Sequence, residues 1–167
     1  MDKPLETIPY PLGPVHEKSL PVPSPWGTLE LVIYNDFIIR CRFIDDIKSP
    51  FKQFHLPANM KLVRPIPSDF EKAVNKAVMS TQPGELISYG EVAVAAGWSK
   101  GAAQAVGNQM AWNSFALIVP CHRVATASGI AKNYRWGRAR RRSILSHERK
   151  GGPDLFVFDL PPLPESE

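Results

Sequence analysis

Proline placement limits what this chain can fold into more than any other feature. Seven prolines fall within residues 1–25. Proline fixes φ and lacks a backbone N–H, so this stretch reads as extended chain that contributes no helix. Just beyond it, residues 28–34 and 37–43 are β-branched and aromatic runs separated by Asn35 and Asp36, the pattern of a hairpin with a tight turn. Proline returns in residues 48–67, where no hydrophobic period is visible, and this part reads as loop with one short strand. A first unit therefore ends near residue 67.

From there the periodicity turns helical. Ser68 precedes residues 69–80, whose Phe70, Val74, Ala77 and Val78 share one face, and Gln82-Pro83-Gly84 ends the helix. Ser88-Tyr89-Gly90-Glu91 is a capping box, in which the serine caps forward and the glutamate reaches back. The helix it starts runs to about Ala96 and breaks at Gly97; Ser99 then caps a second helix to about Met110. Two short helices joined by a glycine turn make a helix-turn-helix. Gly101, Ala102, Ala103, Ala105 and Gly107 make the second helix small-sided, which suits packing on a neighbouring helix or approach to a nucleic-acid groove. Residues 115–119 read as a short buried strand, and a last basic helix spans about 138–148. The fold class is α+β, in three parts: residues 1–67, residues 68–150 with the helix-turn-helix, and an acidic, proline-rich tail, 151–167.

Composition excludes several classes. The chain is 44% hydrophobic and 22% charged, ordinary for a globular protein. Its apolar run at 115–119 falls far short of the roughly 18 residues a membrane helix needs. The N-terminus lacks the basic start and apolar stretch of a secretory signal. Two cysteines, Cys41 and Cys121, make neither a disulfide framework nor a four-ligand metal site, so the expected setting is reducing and intracellular, with no metal. Charge is uneven: residues 131–150 carry eight Lys/Arg against one Asp/Glu. That block fits a nucleic-acid or other acidic partner, and it also fits a solvated helix face.

Cys121 follows Pro120 at the exit of the buried run. A lone cysteine is often a small core residue, but a strand exit is where a turn can present a side chain to a pocket, and His122 beside it can help generate a thiolate. Consecutive strand residues point to opposite faces, so contact between the two needs a turn or a bridging water. Glu148 is the residue available to orient His122. At a helix C-terminus it faces the negative end of the dipole, at about 0.3–1 kcal/mol, which a histidine proton can offset. An ordinary surface glutamate among arginines fits the same position.

Ile118-Val119-Pro120-Cys121-His122-Arg123-Val124 resembles the active-site signature of the O6-alkylguanine-DNA alkyltransferases. The resemblance covers about residues 68–149. It includes Gly84-Glu85 through Ser88-Tyr89, Ala105-Val106-Gly107, Asn113, Asn133-Tyr134-Arg135-Trp136-Gly137 and His147-Glu148. The first 67 residues match only through Pro25-Trp26-Gly27-Thr28. The resemblance implies a ribonuclease-H-like N-terminal domain and a winged-helix-like C-terminal one. It also implies stoichiometric transfer of an alkyl group, methyl included, from O6-alkylguanine in duplex DNA to Cys121, by a monomer without cofactor, wherever the DNA lies, nucleus or cytoplasm.

The roles it implies are specific. Cys121 accepts the alkyl group, His122 takes the thiol proton through a water, Glu148 orients His122, and Asn113 supports the turn. Tyr89 crowds the phosphate so that the nucleotide rotates out, and donates to guanine N3. The carbonyls of Cys121 and Val124 receive the exocyclic amine, the Arg135 amide faces O6, and Met110, Tyr134 and Trp136 wall the pocket. Tyr89, Ala102, Gln104 and Arg123 contact DNA. Gln104 departs from the family, which commonly has arginine there to fill the gap left by the flipped base. Trp136 stands where some members have glycine, which narrows the pocket. A papain-type hydrolase is the rival enzyme, but its nucleophile sits at a helix N-terminus. A lesion-binding protein of the alkyltransferase-like kind is the other rival, disfavoured by the presence of Cys121.

Overall fold

Alternating apolar residues between 27 and 43 build the hairpin that their pattern predicts. In the computed structural model, which describes residues 18–34, 37–44, 61–62, 68–129 and 134–151, β2 (Gly27–Tyr34) pairs antiparallel with β3 (Phe37–Phe43). Leu31 lies opposite Cys41 and Leu29 opposite Phe43, all four buried. The proline-rich start holds more order than extended chain: β1 (Lys18–Ser24) pairs with β2, with Pro21 opposite Glu30 and Pro23 opposite Thr28. These prolines are tolerated because β1 is an edge strand, so a missing N–H need not break a ladder on both sides. The short strand expected in 48–67 is β4 (Lys61–Leu62), parallel to β3. The expectations for residues 1–17, the Asn35-Asp36 turn, the rest of the 48–67 loop, Asn133 and the tail from 152 lie outside the described residues.

Helix α1 (Asp69–Met79) starts on a capping box of its own, with the Ser68 hydroxyl accepting from Glu71 N and the Glu71 carboxylate accepting from Ser68 N. It buries Val74 and Val78 completely, worth about 1.5–3 kcal/mol each. Ser88 and Glu91 form the second box, at the head of α2 (Tyr89–Ala95), which ends at Ala96 before Gly97 takes φ 87. The next helix departs from expectation at its start. Ser99 makes no side-chain cap; a 3₁₀ turn (Lys100–Ala102) precedes α3 (Ala103–Ala111). Trp98 N donates to Ala93 O across the glycine turn, and the chain enters the next helix through an i→i+3 turn, a common way for a helix to begin. Trp98 also packs edge-on against Phe70, tying the turn to α1.

The buried run at 115–119 is not a strand. Only Phe115 bridges, in parallel, to Cys41 of β3, through Cys41 N to Ser114 O and Ala116 N to Cys41 O, each 2.8 Å. Leu117 then takes φ 65, a left-handed conformation that costs a branched residue about 1–2 kcal/mol and turns the chain. The apolar run misled because every residue from Phe115 to Ala125 is buried, whatever its backbone conformation. Beyond a 3₁₀ turn (Cys121–Arg123), β6 (Val124–Ala125) pairs parallel with β5 (Ile87–Ser88), and α4 (Arg138–Arg149) follows. One apolar core runs without a break from Val22 of the sheet to Ile144 of α4.

Candidate active site around Cys121

Three local devices present Cys121. Pro120, at φ −77 and ψ 62, centres an inverse γ-turn closed by Cys121 N donating to Val119 O at 2.7 Å. The Asn113 side-chain amide donates to Phe115 O at 3.3 Å and Val119 O at 2.9 Å, the carbonyls on either side of Leu117. The same amide reaches Cys121 Sγ at 3.2 Å, while Asn113 Oδ1 accepts from Phe115 N. One buried asparagine thus holds both the turn and the sulfur. Burial pushes the Cys121 thiol up to about 11, against the Asn113 hydrogen bond and the positive Arg141 and Arg135. At rest the sulfur is a neutral thiol.

His122 is fully buried, and its Nε2 lies 2.7 Å from Glu148 Oε1. Burial lowers the imidazole pKa, against the pull of Glu148, so the ring is neutral at pH 7. Nε2–H then donates to the carboxylate, and the lone pair sits on Nδ1, which is buried and takes no hydrogen bond from the described residues. The sulfur receives its hydrogen bond from Asn113 rather than from His122.

Glu148 is the hub. Its Oε2 accepts from Gly84 N at 2.7 Å, and Arg123 donates through Nη2 at 2.9 Å to Oε1. Burial works to raise this carboxyl, but the bonds from His122 and Arg123 outweigh it and hold the group at about 2. The unfavourable position at the end of α4 is offset by a backbone N–H and a guanidinium.

Arg123 is therefore not at a DNA surface. It is 3% exposed, bound to Glu148 and through Nη1 to Thr81 O at 2.7 Å, because a carboxylate this deeply buried requires a counter-charge. Ala102 likewise turns inward and is half-buried against the core. What α3 presents to solvent is Gln104, Ala105, Asn108 and Ala111, with Gly101 just ahead of them: a small, uncharged face.

The other expected pocket residues converge on the same region. The β5–β6 pairing sets the head of α2, and with it Tyr89, beside the end of the Cys121 turn. Tyr89 is half-buried, and its electrostatic partners are Arg141 and Cys121. Met110, Val124 and Tyr134 are buried, and the Tyr134 hydroxyl has no partner among the described residues. Trp136 packs edge-on against Tyr134 at 5.6 Å and Phe43 at 6.0 Å. Arg135 lies over the Trp136 ring and donates to Asn113 O at 2.8 Å.

Residues 69–150 match the family model described as 6-O-methylguanine DNA methyltransferase, DNA binding domain. The methylated-DNA–protein-cysteine methyltransferase of Mycobacterium bovis is 45% identical over 93 residues, 55% of this chain and 56% of that protein. The chain thus spans about half the length of such curated relatives. A crystal structure of Mycobacterium tuberculosis OGT in complex with DNA superposes with TM-score 0.64 at 29% identity, covering 84% of this chain and 99% of that one. A variant of the same mycobacterial protein is 30% identical, with 95% of its chain covered. This chain belongs to the 6-O-methylguanine DNA methyltransferase family. Its mixture of helices and strands is that of the family's solved members.

Some site residues escaped the sequence reading. Gly84 and Thr81 serve Glu148 and Arg123 from the loop after α1; the sequence marks Gly84 as a helix stop and within the family resemblance but not as a partner of Glu148, and nothing local marks Thr81. Arg141 donates from Nε to His122 O at 2.8 Å. A signal for it existed: Arg141, Ile144, Leu145 and Glu148 recur at helical spacing, so Arg141 shares the inward face of α4 with the glutamate.

Proposed function

We propose that this chain repairs O6-alkylguanine in double-stranded DNA by moving the alkyl group onto Cys121, one group per molecule. The observation that carries the reading is the pairing of a held sulfur with a buried His122–Glu148 couple whose Nδ1 is free to accept a proton. The target carbon is out of reach in stacked duplex, so the base is flipped into the pocket between Tyr89, Met110, Tyr134 and Trp136. The thiol proton passes through a water to His122, and Glu148, ionised down to about pH 2, stabilises the resulting imidazolium. The sulfur electron pair then forms the S–C bond as the C–O6 bond breaks. Guanine leaves with a proton from Tyr89, whose hydroxyl burial keeps protonated. The proton held on His122 restores Tyr89, and the thioether on Cys121 has no carbonyl for water to attack, so the protein is consumed.

The small exposed face of α3 suits entry into a groove, with Gln104 filling the space of the flipped base. The carbonyls of Cys121 and Val124 and the amide of Arg135 read the guanine edge. In the same reading, the β1–β4 sheet belongs to a ribonuclease-H-like domain and α2–α3 to a winged helix-turn-helix. The experiment is intact-mass and peptide analysis after incubation with duplex containing O6-methylguanine. One stable methyl group on the peptide holding Cys121 is expected, and none with Cys121→Ser. Methylation of Cys41 instead, or repeated turnover, overturns the proposal.

A further inference from the structure

Charges around the Cys121 pocket are unevenly committed. The Glu148 carboxylate is matched by Arg123 in a pair whose side chains are 2% and 4% exposed, and His122 is neutral. Tyr89 and Tyr134 are both raised by burial and stay protonated. Arg140 is drawn to the Trp26 and Trp136 carbonyls; Arg135, exposed but anchored on Asn113 O, also favours the thiolate, by less than Arg141. Arg141 differs. It is half-buried on the inward face of α4, its Nε is anchored at 2.8 Å on the carbonyl of His122, and its Nη2 is buried with no hydrogen-bond partner among the described residues. A buried guanidinium N–H without an acceptor is costly, and it points to an acceptor that forms only during function. The groups coupled to it electrostatically are Tyr89, Tyr134 and Cys121, with Arg149 opposing.

We propose that Arg141 is the fixed positive charge of the pocket, held against the Cys121 turn by the His122 carbonyl to stabilise the sulfur as a thiolate. This rests on the reading of Cys121 as the alkyl acceptor. The step it serves is the first one: the S–H bond breaks, the proton leaves towards His122 Nδ1, the electron pair stays on sulfur, and Arg141 balances the charge left behind. Arg141 is a positioning residue in this role. Its guanidinium is pre-set by a backbone bond, so little reorganisation accompanies ionisation.

The test uses thiol reactivity apart from DNA. The full chain, wild type and with Arg141→Gln or Arg141→Lys, is reacted with iodoacetamide from pH 6 to 10, on the limb below the wild-type thiol at about 11 where the rate follows the thiolate fraction, and carbamidomethylation of the Cys121 peptide is followed by mass spectrometry. Both substitutions lose the geometry of the guanidinium, but only Arg141→Lys keeps the charge. The Arg141→Gln rate–pH profile should be displaced upward by about one pH unit or more, roughly a tenfold loss of reactivity at any pH on this limb, and Arg141→Lys should recover most of it. Thermal unfolding of each variant separates a packing defect from a charge effect. Equal shifts for glutamine and lysine, or no shift for either, overturn the proposal. Methyl transfer from O6-methylguanine duplex is measured in parallel. If wild type transfers no methyl while Arg141→Gln still shifts the rate–pH profile, the alkyltransferase reading fails and the role of Arg141 as the charge beside the sulfur stands.

Discussion

Glu148 carries two duties, and they respond differently to substitution. As the partner of His122 Nε2 it orders the proton acceptor; as the counter-charge of Arg123 it makes a buried cation tolerable. Glu148→Gln keeps the shape but leaves Arg123 unpaired, which should destabilise the fold by about 3–5 kcal/mol in urea titration. Methyl transfer at neutral pH should fall further than DNA affinity. A transfer rate unchanged between pH 6 and 9 would return Glu148 to a purely structural role. The pH dependence of stability follows from the same atoms. A carboxyl lowered from 4.5 to about 2 contributes fully above its unfolded value and loses that contribution as pH falls from about 4.5 towards 2. His122 lies below its unfolded 6.5, so the unfolded chain takes up a proton there that the folded chain refuses. Both act in one direction: the urea midpoint should fall on acidification from about 6.5, and be level from about pH 7 only until the pH nears 9.0, where the unfolded chain begins to ionise the thiol that burial keeps protonated in the folded one. A midpoint that rises between pH 6.5 and 4 contradicts these assignments.

Among the elements, α3 and the loop after α1 carry the informative tests. Gln104 is exposed on α3, where the family commonly has arginine. Glutamine supplies one amide and no charge to the space of a flipped nucleotide; arginine adds stacking and more donors. Gln104→Arg should tighten duplex binding and speed repair by about 1–2 kcal/mol, as for a charge-assisted hydrogen bond. The gain should be much smaller on free O6-methylguanine base, which needs no flipping. Equal gains on both substrates in single-turnover assays would separate residue 104 from the flipping step. Gly84 tests the loop. It has φ 79, and an added Cβ would stand 3.2 Å from the backbone N of Arg149 and 3.0 Å from that side chain's Cγ. Gly84→Ala should therefore pull the loop from the end of α4 and loosen the 2.7 Å bond from Gly84 N to Glu148. The strained φ alone costs about 1–2 kcal/mol. A melting temperature equal to wild type would show that the loop relaxes without strain.

Across the whole molecule, the basic block turns out to be divided. Arg140 binds Trp26 O at 2.7 Å and Trp136 O at 3.2 Å and lies 4.3 Å over the Phe43 ring, so it joins α4 to the sheet. Trp26 also packs edge-on against His147, next to the hub glutamate. The β1–β2 turn thereby braces the helix that carries Glu148, and the sheet supports the site from a distance in sequence. Arg138 and Arg142 are exposed. Neutralising Arg138 and Arg142 together should flatten the slope of log affinity against log salt by up to about 1.8, if both meet phosphates. Arg140→Gln should leave that slope alone and lower stability by about 1.5–3 kcal/mol. The reverse pattern would place Arg140 on the DNA.

Local chemistry was enough to determine the hairpin, the serine-capped starts of α1 and α2, the break at Gly97 and the basic last helix. Each of these depends on backbone preferences and on neighbours within one turn or one strand pair, which the residues state directly. Burial and partnership of charges do not work that way. The ligands of Glu148 come from positions 25, 26 and 64 residues away, and only the packing of the 3₁₀ turn, α4 and the Gly84 loop against one another brings them within hydrogen-bond distance. That packing turned Arg123 inward, committed Arg140 to Trp26, and made a buried apolar run into a turn around Leu117 rather than a strand. An apolar run reports that a segment is buried; its backbone path was set by Asn113 close by together with the edge of β3 at Cys41, and the latter lies outside any window of neighbouring residues.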